Sequence, residues 1–184
     1  MNHPYLSECI DRIQQVSEDA MFAFENLNEM QLNWKPNADS WSVGQCLDHL
    51  IVSNRLYFPI FDSILNGTKK KTFWERLPFM PKVWGNAIVK ALAPSNKDKT
   101  KTFPVFEPSQ SQIPTAILSN FVKNNEQLIQ YFQRLDGADH NIIITSPVAK
   151  FVTYSLGNTF KLLTNHEERH FLQAKRVMEL FEFP

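Results

Sequence analysis

Residues 155–181 read SLGNTFKLLTNHEERHFLQAKRVMELF, and this stretch decides the fold. Leu156, Phe160, Leu163, Ala174, Val177, Leu180 and Phe181 recur along it at helical intervals, with polar residues between them. Apolar side chains at steps of three and four form a stripe down one face of an α-helix. His166 and His170 fall on that stripe, four residues apart, so both imidazoles lie on the face turned toward a core. A buried imidazole needs a partner. It is usually a core histidine satisfied by a carbonyl or carboxylate, but two of them one turn apart can also share one metal ion.

Three further helices are expected from the same periodicity. The first runs from Pro4 to about Asn26, carrying Leu6, Ile10, Ile13, Val16, Ala20 and Ala23, with proline in the first turn where its missing N–H costs nothing. The second begins at Ser42, with Gln45 three residues on in a capping-box pattern. It continues through Val43, Leu47, Leu50, Tyr57, Phe61 and Ile64 to the Asn66-Gly67 stop. The third runs from Pro114 to Gly137. Asn141 to Thr145 is the only β-like run and reads as loop. Four long amphipathic helices predict an all-α four-helix bundle, and the long link between the second and third helices predicts a crossover.

Composition narrows the function classes. The chain has 184 residues, 43% apolar and 12% aromatic, as expected for one globular domain over residues 1–184. The formal net charge is zero, which argues against a domain-wide nucleic-acid footprint. Two cysteines, Cys9 and Cys46, imply no disulfide framework. No signal peptide or membrane span is readable, so a reduced cytoplasmic protein is the expectation. Charge is unevenly spread. Residues 67–102 carry nine basic and two acidic residues, net +7, against −7 for the rest. This segment, the core of a basic and aromatic insertion over about 67–112, also holds Phe73, Trp74, Phe79 and Trp84 and a short helix at Lys82–Leu92. Its plain reading is a solvated excursion whose aromatics cap the bundle. The alternatives are an anionic ligand, a membrane surface or nucleic acid.

His49, near the edge of the second helix's stripe, is the third candidate ligand. Three histidines from two helices make a common half-open catalytic zinc arrangement, and nitrogen donors also suit nickel, copper or iron. Cys46, one turn from His49, is either a small buried hydrophobe or a further ligand or reactive thiol. Gln173, three residues after His170, is either a polar edge residue or a group supporting the site or its substrate. Glu167 and Glu168 turn away from the histidines, so neither is assigned as general base, and a metal would carry most of any catalysis.

Trp34-Lys35-Pro36, then Ser40-Trp41-Ser42-Val43-Gly44-Gln45-Cys46-Leu47-Asp48-His49-Leu50, and late in the chain His166-Glu167-Glu168-Arg169-His170-Phe171-Leu172-Gln173, resemble the DinB/YfiT-like metalloenzyme family. The resemblance implies a bundle with a divalent metal, zinc or nickel first, on His49, His166 and His170. It further implies kinship with bacillithiol S-transferases and mycothiol-dependent isomerases, hence a small-molecule thiol and an electrophile as substrates, and a homodimer. Three functions are therefore expected to compete: a thiol-dependent S-transferase, a metal-dependent hydrolase, and a non-enzymatic helical module that binds metal or a partner.

Overall fold

A computed structural model describes residues 3–77, 87, 89–90 and 112–184. In chain order the elements are α1 (Pro4–Phe24), α2 (Glu29–Asn33), α3 (Val43–Arg55), α4 (Phe58–Leu65), a 3-10 turn (Trp74–Arg76), α5 (Ile117–Leu135), β1 (Ile143–Thr145), β2 (Thr153–Ser155) and α6 (Leu156–Met178). The all-α bundle expected from periodicity is present, with α1, α3, α5 and α6 as its long members. The Ser42/Gln45 capping box forms as its sequence predicts, and Asn28/Gln31 makes a second one that starts α2.

Side-chain pairings fix the helix directions. Arg12 meets Asn165 and Glu168, while Phe24 meets Phe171, so α1 and α6 run parallel. Tyr57 bonds Tyr154 at the start of α6 and Trp41 stacks on His170 in its second half, so α3 runs antiparallel to α6. Gly44 abuts Ile113, Asn54 bonds Asn124 and Phe58 stacks on Tyr131, so α3 and α5 are parallel. Parallel neighbours require the chain to travel back along the bundle between them, which is the expected crossover.

Several boundaries differ from the sequence reading. The second helix is broken into α3 and α4 because Pro59 has no N–H to give Arg55 and its ring clashes with that carbonyl. The run read as loop contains β1, which pairs antiparallel with β2 in the register Ile144↔Tyr154. Both of those residues are fully buried, so the hairpin lids one end of the core. The fourth helix ends at Met178, and Leu180 and Phe181, expected on its buried stripe, are 40% and 99% exposed. The short helix expected at Lys82–Leu92 lies outside the described residues except Ala87, Val89 and Lys90, whose backbone is helical.

Among the described residues the apolar core divides into two clusters. On each long helix the division falls at the same level: between Ile13 and Val16, between Ile51 and Tyr57, between Phe121 and Leu128, and between Leu163 and Phe171. Polar side chains fill that level: Ser17, Asn54, Asn125 and Glu167.

Gly44 marks a tight approach in the cluster that holds Leu32 and Ile113. A Cβ there would stand 2.9 Å from Ile113 Cβ and 3.2 Å from Leu32 Cγ. Gly44→Val should lower stability by about 1–3 kcal/mol through overpacking. Urea unfolding would measure it, and an unchanged midpoint would contradict this close contact.

Candidate metal centre

Because α3 and α6 pack antiparallel, the second turn of α3 lies against the middle of α6. His49 is 2% exposed, and His166 and His170 are 9% exposed each. One ligand atom from each of the three lies within 4.8 Å of the others, and among the described residues that group comprises these three side chains. His49 Nε2 and His166 Nε2 are 3.0 Å apart. The rings meet edge-on, with centroids 4.4–4.8 Å apart. Two nitrogens bound at zinc's usual ~2.0–2.1 Å in a tetrahedral site stand about 3.3 Å apart, so the spacing fits a shared ion with small adjustments.

The electrostatics fit as well. Burial pushes His166 and His170 well below the usual imidazole range, and the neighbouring imidazoles push in the same direction. Both rings are therefore neutral near pH 7, the form in which histidine ligates metal. His170 Nδ1 is buried and has no hydrogen-bond partner, a costly state for a ring nitrogen in a packed interior. The three-histidine group can thus hold a metal ion.

Trp41 walls one side of the group. Its ring stacks on His170 at 5.6 Å and 27°, and lies 4.7 Å from His49. It is delivered there by the Ser42 cap, which turns the chain into α3 immediately after it. This role was missed in the sequence, although the Trp-Ser pair directly before a helix start was the available signal. The Gln173 side chain hydrogen-bonds the His170 ring. Cys46 lies apart from the group. It is fully buried in the apolar cluster with Leu47 and Leu50, and burial pushes its thiol up to about 12, which keeps it protonated and unreactive.

Both glutamates point away from the histidines, as their helical angles predict. Glu168 takes a two-pronged bond from Arg12, at 2.6 and 2.8 Å. Glu167, however, turns into the centre of the bundle rather than to solvent. It is fully buried and accepts from Asn54 Nδ2 at 2.8 Å and Asn125 Nδ2 at 3.2 Å. Burial pushes its carboxyl up to about 7 against the opposing pull of the two amides. Sequence reading missed this network, since isolated asparagines on a helix carry no periodic signal.

A model of the DinB superfamily matches residues 12–174. The chain belongs to the DinB superfamily. It is also 24% identical over 159 residues to the uncharacterized protein YuaE of Bacillus subtilis, covering 86% of this chain and 90% of YuaE. No solved structure matches it. The superfamily assignment agrees with the resemblance carried by the tryptophan-rich entry to α3 and the histidine pair of α6.

Glu167 gives a pH test with a definite sign. In the unfolded chain its carboxyl ionises near 4.5, and in the fold near 7. Its contribution to stability is therefore full below about 4.5 and is lost as pH rises toward 7. Chemical denaturation of metal-free wild type and Glu167→Gln across that window should show the wild-type advantage shrinking with rising pH. An advantage that grows instead would contradict a buried, proton-holding Glu167.

Proposed function

We propose that His49, His166 and His170 hold one divalent metal, zinc or nickel, and that the chain is a metal-dependent enzyme of the thiol S-transferase type, joining a small thiol of the bacillithiol kind to an electrophile. The observation that carries the reading is the make-up of the group: three buried imidazoles from two helices, with Glu167 and Glu168 committed elsewhere. A divalent ion in that setting supplies Lewis acidity that leaves a coordinating thiol deprotonated outright. Such chemistry needs no carboxylate base. Hydrolysis is the alternative, in which a metal-bound water with its pKa lowered toward ~7 would be the nucleophile; Glu167 and Glu168, held by Asn54, Asn125 and Arg12, are not free to assist it.

The chain's own residues have definite tasks in this reading. The two α6 histidines are kept neutral by burial, so their lone pairs are available at neutral pH. Gln173 orients the His170 ring, and Trp41 excludes water from one side. A dry, positioned site strengthens every polar interaction made in it. Cys9 and Cys46 are buried free thiols, in keeping with the proposed reducing cytoplasmic setting. We carry a homodimer and a single domain with an insertion at about 67–112 as parts of the same proposal.

The test pairs metal analysis with turnover. Purified protein should hold about one metal per chain, the occupancy a three-imidazole site implies, and His166→Ala and His170→Ala should each abolish it. Metal-loaded protein should turn over thiol plus electrophile and leave esters and amides intact. Ester or amide cleavage without thiol-dependent turnover would favour the hydrolase. A full-length, stable protein that takes up no metal under any loading would leave the helical binding module.

A further inference from the structure

The first part of the basic segment, residues 67–77, sits far from the histidines. The 3-10 turn packs on β1 through Glu75, and β2 leads directly into α6. From the start of α6, His166 lies ten residues along the helix, roughly 15 Å at 1.5 Å per residue.

Glu75 is the only acidic residue between Gly67 and Leu77, and the structure removes it from the surface. It is 7% exposed. Its carboxylate accepts from Lys69 Nζ at 2.7 Å, Thr72 N at 3.2 Å, and Thr145 N and Oγ1 at 2.9 and 2.8 Å. These four bonds pin the turn to the hairpin and neutralise Lys69 at the same time. The charged and aromatic side chains left outside are all cations or rings: Lys70, Lys71 and Arg76 are exposed, Phe73 is 69% exposed and Trp74 36%. A rigid scaffold thus holds two aromatic rings in water beside three positive charges.

We propose that this turn is a docking site for an anionic lipid surface, with Phe73 and Trp74 entering the headgroup layer while Lys70, Lys71 and Arg76 meet lipid phosphates. Aromatic rings at headgroup depth and adjacent basic residues are the two recurring elements of peripheral membrane binding. The ring geometry favours lipid over nucleic acid. Phe73 and Trp74 stand at 80° to each other, so they offer no common plane on which successive bases could stack. Projecting rings need no shared plane to enter a headgroup layer. The site uses none of the histidines and stands independently of the proposed reaction.

Co-sedimentation of full-length protein with vesicles tests it, comparing phosphatidylcholine alone with phosphatidylcholine plus phosphatidylglycerol at low salt. Binding should require phosphatidylglycerol and weaken as salt screens the charges. Each Lys or Arg near an anionic surface contributes about fivefold in partition, so Lys70→Glu, Lys71→Glu and Arg76→Glu together should weaken binding by at least ~100-fold. Phe73→Ser with Trp74→Ser should weaken it with all charges intact. All five positions are exposed, and thermal melting would confirm that both variants fold. Absence of sedimentation with anionic vesicles, equal binding to neutral ones, wild-type binding by the folded charge-reversed variant, or preference for a single-stranded oligonucleotide over vesicles would each overturn the proposal.

Discussion

The antiparallel contact of α3 with α6 is the constraint on which the rest depends. It sets His49 against His166 and His170, and one turn away it sets Asn54 against Glu167. The two contacts face different ways: the imidazoles converge under Trp41, while the carboxyl enters the middle of the bundle. A slip of either helix by one residue would break both, since turning α6 by ~100° carries each side chain off its face. The polar layer is selective because it is buried. Apolar helices can slide past one another at little cost, whereas a displaced Glu167 would lose two amide partners in an interior where unpaired polar groups are costly.

This layer also explains why the core is in two pieces. Ser17, Asn54, Asn125 and Glu167 come from four different helices and link α1, α3, α5 and α6 at one level. The network is incompletely paired: Asn54 Oδ1, Asn124 Nδ2 and Asn125 Oδ1 are buried without partners. Its stabilising effect is therefore smaller than its bond count suggests, and its main physical role is to fix helix register.

Much of this was legible in the sequence. The stripes of Leu6-Ile10-Ile13 and Leu156-Phe160-Leu163 announced buried helices, and the Ser42/Gln45 box located the start of α3 to the residue. His166 and His170 announced themselves by lying on a stripe where polar side chains are expensive. What stayed hidden depends on partners distant in sequence. Residues 143–145 become a strand only because Thr153–Ser155 lies beside them. Pro59 could have been read as the break between α3 and α4, but the apolar spacing continues through it and masks the kink. Glu167 carries no local mark of burial, because its partners Asn54 and Asn125 are supplied by other helices. Glu75 is similar: counted as a surface charge in the sequence, it is hidden in the fold.

The central claim is that the three histidines form one metal site, and the most direct measurement is anomalous diffraction from crystals grown with zinc. The account predicts a single strong peak at the zinc edge, about 2.0–2.1 Å from one nitrogen each of His49, His166 and His170, with His170 Nδ1 or Nε2 turned onto it. A fully folded protein whose histidines stay unligated, or whose zinc binds only elsewhere, would contradict it.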